Sequence, residues 1–441
     1  MSERSVEAFR RAVPPGAAPL LSAVLEAADA RGLSVYAVGG PVRDWLLGRG
    51  IADLDLIVEA RGAEGAEALG RAVSAGAVRL RSHDRFGTLS LEDAGGVIDL
   101  ATVRRESYPH PGALPVTVPG TLEEDLHRRD FSVNALALAL SRAARARHPG
   151  VIDVEDGLAD LAARRLRVLH QASFSDDPTR ALRAARLAPR LGFTLTRDSR
   201  AALRDALRQG AFGRVSGERL RREIEKLFQD AALGLDPTLA LRLLEGWHVL
   251  GALEPGLTLP RAVHAPLRRL GRAVSAPPWR RGRWRVWVSG LAVWLAPLAP
   301  ALRRRSLARF AVRGALALWV SAYPKLQAEK LRVLQRARGR GAIDAALADL
   351  DEDGLHALWA GAPPTARRRV ARYAQEDRGR RAPVSGSDLV PLGLSGPELG
   401  RALARIRAAH LDGSLRTREE AIALARELGA RRRGRGSLAG R

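Results

Sequence analysis

The chain of 441 residues is too long for one ordinary domain, and its length predicts two to four domains. Its formal net charge is +24, and almost all basic residues are arginine, since lysine occurs only at Lys226, Lys325 and Lys330. This charge favours a polyanionic partner, although a coding bias toward arginine and alanine gives a similar composition. The absence of cysteine excludes disulfides and thiolate metal sites.

A membrane segment and an export signal are both unexpected. The longest uncharged run, residues 286–302, contains Gly290, Pro297 and Pro300, so it favours a buried helix over a membrane span. Residues 1–7 lack the basic start and apolar run of a signal peptide. We therefore predict a cytoplasmic protein without membrane contact, and the sequence indicates no protein partner.

The first predicted elements lead into a glycine turn. Residues 17–31 carry apolar side chains at helical spacing, and residues 34–38 form a short buried strand. The strand ends at Gly39 and Gly40, and Pro41 stands where the first helical residue is expected. The helix that follows is limited to about two turns, because glycines at positions 48 and 50 close it.

A pair of carboxylates follows this short helix. Asp53 and Asp55 are two apart on a predicted strand, so both side chains leave one face while Leu54 and Leu56 enter the core. Two hard oxygen ligands suit Mg²⁺, which also binds phosphate oxygens. Such a site can activate an attacking hydroxyl and neutralise a leaving pyrophosphate, so the pair predicts catalytic metal ligands. Taken alone, however, such a pair is also typical of a solvated strand end.

The glycine turn itself predicts a site for phosphate. Gly39 and Gly40 let the backbone approach a ligand, and the free N–H groups of the helix start, with Arg43 nearby, form a cradle for a triphosphate. A glycine pair before proline is otherwise an ordinary turn into a helix. The turn and the carboxylates together favour nucleotidyl transfer.

The next segment is predicted to be a helix followed by strands and a loop. The helix covers residues 63–74, and the strands cover residues 78–80, 87–91 and 97–104. Asp99 lies inside the last, apolar strand, where an unpaired charge is costly, so it is either a further catalytic ligand or the partner of an arginine. Prolines at positions 109, 111, 115 and 119 predict an irregular loop over residues 104–120.

Three charged helical segments follow the loop. Thr121 and Glu124 have the spacing of a capping box before the sequence Arg-Arg-Asp-Phe-Ser-Val-Asn-Ala at 128–135. Residues 175–186 read Ser-Asp-Asp-Pro-Thr-Arg-Ala-Leu-Arg-Ala-Ala-Arg, and residues 214–228 form an amphipathic helix. Each segment alone is compatible with an ordinary charged helix face.

In this order and spacing, the segments resemble the DNA polymerase β-like nucleotidyltransferase superfamily. The sequence Gly-Gly-Pro-Val-Arg-Asp at 39–44 resembles the class II tRNA nucleotidyltransferase and bacterial poly(A) polymerase family. The resemblance is dense over residues 34–228 and weak in the tail, where residues 386–400 are similar. It implies Mg²⁺ on Asp53 and Asp55, often with a third ligand from a neighbouring strand, here Asp99.

The resemblance also implies nucleotide-binding residues. Arg129 would hold the triphosphate, while Asp130 and Asn134 would read the ribose hydroxyls. Asp177 and Arg180 would read the base, although Asp176 stands where the family usually has glutamate. Arg183 and Arg186 continue the same ridge and would reach the triphosphate.

Physical chemistry supports the pairing of Asp177 with Arg180. Cytosine and adenine share an exocyclic amine beside an unprotonated ring nitrogen, so an aspartate acceptor beside an arginine donor fits both, whereas uracil and guanine are refused. Residues three apart on a helix lie side by side. The alternative is that Asp177, which precedes Pro178, only caps the helix, a contribution of about 1 kcal/mol.

The predicted fold is therefore α+β, with a polymerase β-like head of mixed sheet and helices followed by an all-α neck, body and tail. The boundaries are residues 1–150 for the head, 151–228 for the neck, 229–365 for the body and 366–441 for a tRNA-binding tail. Proline and glycine breaks near residues 276–278 and 361–364 mark candidate boundaries between body and tail, and the basic residues 431–436 are expected to be disordered.

The predicted function is CCA addition to tRNA from CTP and ATP. A-adding, CC-adding and poly(A)-polymerase activities of the same family remain alternatives, as does a non-catalytic RNA-binding protein. CC-adding relatives tend to have a shortened loop at the position of residues 104–120, where this chain keeps one.

Overall fold

The structure, a computed structural model, describes residues 2–60, 65–74, 78–83, 88–279 and 281–438. The chain divides into two compact units, Met1–Arg219 and Leu220–Arg441. The first unit combines a mixed sheet with helices and the second is helical, which confirms the predicted α+β class. The finer boundaries after residues 150, 228 and 365 stay predictions.

Strands of the first unit form one large sheet and two small ones. Their bounds are β1 (Ser34–Val38), β2 (Leu54–Glu59), β3 (Arg79–His83), β4 (Thr88–Glu92), β5 (Val97–Thr102), β6 (Arg104–Ser107), β7 (Val116–Pro119), β8 (Leu136–Ala139), β9 (Val151–Asp153), β10 (Arg165–Leu166) and β11 (Thr194–Leu195). Among the described residues, seven strands form the large sheet in the order β3-β4-β5-β2-β1-β8-β9. Of the strand pairs that the described residues form in this sheet, only β2 with β5 is parallel.

Helices make up the rest of the first unit, and the last of them, α11, continues into the second unit. Their bounds are α1 (Ser2–Ala12), α2 (Ala18–Ala30), α3 (Gly40–Leu46), α4 (Gly65–Val73), α5 (Leu122–His127), α6 (Arg142–Arg147), α7 (Gly157–Ala162), α8 (Ser173–Asp176), α9 (Thr179–Leu191), α10 (Arg197–Arg208) and α11 (Gly217–Gln229). A 3-10 turn at Ser132–Asn134 connects α5 to β8. The predicted start of α4 at residues 63–64 and of β4 at residue 87 lies outside the described residues.

Alternation along the central strands separates two cores. Leu54 and Leu56 of β2 join the core that includes side chains of α1, α2 and α4, as predicted. Ile57 belongs to the core on the opposite face, which includes apolar residues of α5 and β8. Because successive strand residues face opposite sides, Asp55 leaves β2 on the same face as Ile57.

The residues of the predicted irregular loop form a hairpin instead. β6 and β7 pair antiparallel, with Arg104 opposite Pro119 and Ser107 opposite Val116. The prediction was wrong because three of the prolines lie in the tip, residues 108–115, and Pro119 is the last residue of an edge strand, where a missing N–H is tolerated.

The second unit contains the remaining helices. Their bounds are α12 (Pro237–Gly246), α13 (Val249–Leu253), α14 (His264–Ser275), α15 (Val286–Leu295), α16 (Pro300–Arg309), α17 (Gly314–Arg336), α18 (Arg340–Leu347), α19 (Glu352–Gly361), α20 (Pro364–Gln375), α21 (Gly386–Leu389), α22 (Gly396–Leu411) and α23 (Arg418–Leu438).

The uncharged run at residues 286–302 contains the buried helix α15 and the start of α16. Within the described ranges, helices are too short or too polar to cross a bilayer. The cytoplasmic location stays a prediction. The backbone of residues 431–436 continues α23, which differs from the predicted disorder, because arginine is a good helix former and the helix has already begun at Arg418.

A steric contact beneath the 3-10 turn yields a test of the fold. A Cβ on Gly157 would lie 2.4 Å from the carbonyl oxygen of Ser132, so Gly157→Ala forces α7 away from the turn that carries Asn134. We expect the free energy of unfolding to fall by about 1–3 kcal/mol, measured by circular dichroism. Gly213→Ala is the control, since a Cβ there meets nothing within 4 Å. Equal melting of both variants would contradict this contact.

Candidate active site

The predicted metal carboxylates lie at the start of β2 and in the adjacent strand β5. Asp55 is in register with Asp99, so both side chains leave the same face of the sheet. Asp53 is exposed and lies in the bend before β2. The prediction that Asp53 shares the strand was wrong in this detail, because the ladder with β5 begins at Leu54.

Electrostatic interactions bring these carboxylates together with two arginines. The pKa of Asp55 is raised to about 6, first by burial and then by the negative charges of Asp99 and Asp53. Arg129 and Arg183 act in the opposite direction. Asp55 therefore lies in a field of both signs, and a bound cation would relieve the repulsion among the carboxylates.

The donor set fits Mg²⁺ that shares its coordination with a substrate. Asp53 and Asp55 offer hard oxygens, and Mg²⁺ ordinarily uses one or two carboxylates together with phosphate oxygens and water. Over the described ranges, no group of three or more His, Cys, Asp or Glu residues is arranged to hold an ion. Asp99 accepts a hydrogen bond from the Ser90 hydroxyl, and its role as a further ligand stays a prediction.

The glycine turn gives an arginine access to the start of α3. Gly39 has φ 73° and ψ −126°, a conformation that favours glycine. A Cβ on Gly39 would also lie 2.9 Å from Nη1 of Arg129, so any larger residue would displace this guanidinium. Gly40 is the first residue of α3, which places Pro41 one position later than predicted.

Arg43 lies beneath the candidate site rather than open to it. It is 3% exposed, and burial lowers its pKa while the adjacent Asp44 opposes that shift. Its Nε donates to Asp44 Oδ1 at 2.8 Å, and its Nη1 donates to Asn134 Oδ1 at 2.5 Å. Arg43 therefore supports Asn134 in this structure, and its contact with a bound phosphate stays a prediction.

Asn134 and Asp130 form a buried polar pair next to Arg183. Asn134 Nδ2 donates to Asp130 Oδ1 at 2.9 Å, and Arg183 Nη2 lies 2.8 Å from Asp130 Oδ2. Burial acts to raise the pKa of Asp130, but Arg183 and the hydrogen bond from Asn134 outweigh it, and the pKa is lowered. Asp130 is therefore a carboxylate that fixes its neighbours.

Arg129 is oriented by a carboxylate that the sequence did not single out. Asp125 is fully buried, and its Oδ2 accepts from Arg129 Nη2 at 2.9 Å while its Oδ1 accepts from Arg128. Arg183 on α9 is partly exposed and Arg186 is half-buried one turn later. The capping box of Thr121 and Glu124 is confirmed, and Asp125 is the next residue of α5. Its place in the first turn of a predicted helix was the sequence feature that could have drawn attention to it.

The side chains of Asp177 and Arg180 do not pair with each other in this structure, although the sequence predicted that they would. Its Oδ1 accepts from the backbone N–H of Thr179 at 2.9 Å and lies 2.6 Å from Nη2 of Arg219. The residue before proline is biased away from helical backbone, and Asp177 has φ −131° and ψ 90°, so it lies outside α9. The hydrogen bond from the Thr179 N–H to Asp177 is the interaction expected if Asp177 caps the start of the helix.

Arg180 instead supports the backbone beside the site. It is 4% exposed, and its guanidinium donates to Ser173 Oγ and to the carbonyl of Arg128. A cavity of about 400 Å³ adjoins it and includes Tyr108 of the hairpin tip and His170 in its lining. Sequence reasoning missed these residues, because neither carries a spacing signal.

Tyr108 is held in this cavity as a neutral phenol. Its pKa is raised to about 12, mainly by burial, with Arg180 opposing and Glu106 contributing to the rise. Its hydroxyl donates to Glu106 Oε2 at 3.2 Å. The hairpin thus supplies a hydrogen-bonded aromatic ring to a polar cavity next to Arg180.

Comparison with known proteins identifies a family and relatives for this chain. Residues 35–167 match the family described as the Poly A polymerase head domain. A CC-adding tRNA nucleotidyltransferase of Deinococcus radiodurans is 34% identical over 399 residues, which is 89% of this chain and 89% of that protein. An A-adding tRNA nucleotidyltransferase of Geobacter sulfurreducens is 35% identical over 255 residues, or 58% of this chain, and the chain spans only 28% of that relative.

A solved structure is similar over nearly the whole chain. The CCA-adding enzyme of Thermotoga maritima in complex with tRNA is 26% identical, with a TM-score of 0.71 over 97% of this chain and 98% of that chain. Strand carboxylates beside a glycine turn, with one arginine just after α5 and another on α9, define a nucleotidyltransferase of the DNA polymerase β type. The nearly full-length relative shows further that the chain belongs to the class II tRNA nucleotidyltransferase family.

The raised pKa of Asp55 predicts that metal binding releases a proton. The pKa of Asp55 in the folded protein lies above that of an aspartate in the unfolded chain. The contribution of Asp55 to the free energy of unfolding is therefore present at low pH and is lost as the pH rises through about 6. A bound cation offsets that loss. Calorimetry with Mg²⁺ in buffers of different ionisation enthalpy should show weaker binding and up to one proton released at about pH 5.5, and almost none at about pH 7.5. Asp55→Asn should abolish the release. Undiminished release in that variant would assign the proton to another group.

Proposed function

We propose that the protein adds C and A to the 3′ end of tRNA, using CTP and ATP and releasing pyrophosphate. The observation that supports full CCA addition is the hairpin of β6 and β7, which keeps the segment between the carboxylate strands and α5 that CC-adding relatives tend to shorten. Its tip lines the cavity beside Arg180, so the hairpin lies next to the residues proposed to read the base.

The chemistry proposed for the site is attack of the terminal ribose hydroxyl on the α-phosphorus of the nucleotide. Mg²⁺ bound by Asp53 and Asp55 would activate the hydroxyl and neutralise the leaving pyrophosphate. Arg129 and Arg183 hold the triphosphate, since both already act on the charge of Asp55. Asn134 gives one Nδ2 proton to Asp130 and keeps the other for a ribose hydroxyl.

Base selection is assigned to Asp177 and Arg180. In the present arrangement Arg180 donates to the carbonyl of Arg128 and Asp177 Oδ1 is held by Thr179 and Arg219. Reading a base therefore requires Arg180 to exchange a backbone contact for the ring nitrogen of cytosine or adenine. Asp177 keeps a second oxygen for the exocyclic amine.

CC addition is the second candidate. It is favoured by the nearly full-length similarity to the CC-adding protein of Deinococcus radiodurans. The two candidates differ in one step, which is the transfer of A onto a tRNA that already ends in CC.

Transcripts of one tRNA that lack the end, or end in C or in CC, distinguish the candidates when each nucleotide is supplied separately. CCA addition requires C on the first two substrates and a single A on the third. Absence of A on the third substrate indicates a CC-adding enzyme, and activity confined to the third indicates an A-adding enzyme. Long A tails indicate a poly(A) polymerase, and absence of any transfer indicates a non-catalytic RNA-binding protein.

The carboxylate pair predicts the effect of two substitutions. Asp53→Ala and Asp55→Ala should each lower the transfer rate by at least about a hundredfold, because the metal site is lost. tRNA affinity, measured by filter binding, should remain within about threefold of the parent, since the arginines persist. Glu67→Ala removes an exposed carboxylate on α4 and is the control. Retained turnover in either aspartate variant would remove the metal assignment.

Asp177→Asn separates base reading from capping. Asparagine keeps an oxygen for the Thr179 N–H, so the melting temperature should stay close to the parent value. Its amide can turn a donor toward the carbonyl of uracil or guanine, so incorporation of UTP or GTP relative to CTP and ATP should rise. Unchanged selectivity would leave Asp177 as a helix-start residue only.

A further inference from the structure

One guanidinium joins the hairpin tip to the residue assigned to base selection. Nη2 of Arg219 lies 2.6 Å from Oδ1 of Asp177, and Nη1 of the same group donates to the carbonyl oxygens of Gly112 and Ala113, each at 3.2 Å. The Arg219 side chain is 17% exposed and the Asp177 side chain 15% exposed. A charge-assisted contact shielded to this degree holds its geometry more firmly than an open surface pair does.

The tip is also tied to the chain just before Asp177. The N–H of Gly112 lies 3.0 Å from the carbonyl oxygen of Ser175 and 3.2 Å from that of Asp176. Gly112 has φ +75°, and a Cβ there would lie 3.1 Å from Cβ of Arg214. This close approach requires glycine, so the tip contacts Ser175 and Asp176 through its backbone and reaches Asp177 through Arg219.

These contacts fix the direction of the Asp177 carboxylate. Oδ1 is approached by the N–H of Thr179 at 2.9 Å, by the Thr179 hydroxyl at 2.5 Å and by Arg219. With Oδ1 used in this way, Oδ2 is the oxygen left to accept from the exocyclic amine of a base. Of these three donors, only Arg219 also binds the hairpin, so Arg219 links the tip directly to the carboxylate, whereas Gly112 binds the backbone before it.

We propose that Arg219 is a positioning residue that couples docking of the hairpin tip to the orientation of Asp177, and thereby sets which nucleotides the site accepts. The inference rests on the proposed function, because it assumes that Asp177 reads the base. Arg219 acts through Asp177 and does not itself touch the nucleotide. When the tip leaves, Arg219 loses two of its acceptors and Asp177 becomes free to turn about the Thr179 contacts.

The coupling has a readout that is independent of activity. The chain contains no cysteine, so a nitroxide attached to Leu114→Cys reports on the tip alone, and Leu114 is 42% exposed. Electron paramagnetic resonance should show a more mobile label when Arg219→Gln is added. Arg222→Gln is the matched control, since Arg222 is an exposed arginine on the same helix α11.

Selectivity is measured on the same proteins. In Arg219→Gln the incorporation of UTP and GTP relative to CTP and ATP should rise about tenfold, the factor expected for the loss of one charge-assisted hydrogen bond. Arg219→Lys restores the charge but cannot span Asp177 and two carbonyl oxygens at once, so both label mobility and selectivity should fall between those of the parent and Arg219→Gln. This conservative variant also serves if Arg219→Gln does not fold.

The outcomes separate the parts of the proposal. A joint change in label mobility and selectivity, absent from Arg222→Gln, supports it. A change in only one of the two, or in neither, overturns it. Failure of the proposed function appears separately, because the Leu114→Cys parent would then fail to transfer C, A or both in the same assay, or Asp177→Asn would leave its selectivity unchanged.

Discussion

Parallel pairing of β2 and β5 places Asp55 and Asp99 side by side, where their negative charges repel each other. The candidate site depends on how this repulsion is offset. The register cannot slip to separate them, because Leu54 and Leu56 on the opposite face belong to the core of the sheet and a shift by one residue would expose them. The strands therefore hold like charges together, and the surrounding elements must supply positive charge.

That positive charge comes from arginines that are themselves held by buried acids. Asp125 anchors Arg129, and Asp130 anchors Arg183, so the position of each guanidinium is fixed by a buried acid while its charge acts on Asp55. Such an arrangement is organised before any substrate binds, and it costs little reorganisation during the reaction. The chain is rich in arginine throughout, but at the candidate site an aspartate fixes the position of each of these two arginines.

Features with a local physical cause could be predicted from the sequence. The glycine turn, the short α3, the core side of β2 and the capping box at Thr121 each depend on residues a few positions apart. The hairpin of β6 and β7 could not, because its prolines argue against regular structure until their places in the tip and at the strand end are known. The hydrogen bond from Arg43 to Asn134 could not be predicted either, since a contact between residues 91 positions apart is not visible in the local pattern.

The sequence by itself determined the family, the α+β class and the kinds of side chain that meet at the candidate site, because motif order and alternation are properties of the chain. Only the tertiary structure decided which charges meet. Asp177 lies against Arg219 rather than Arg180, since Pro178 removes Asp177 from α9 and a separate helix brings Arg219 to it. Contacts between residues far apart in the sequence depend on how their elements pack, and the spacing of residues along the chain does not predict that packing.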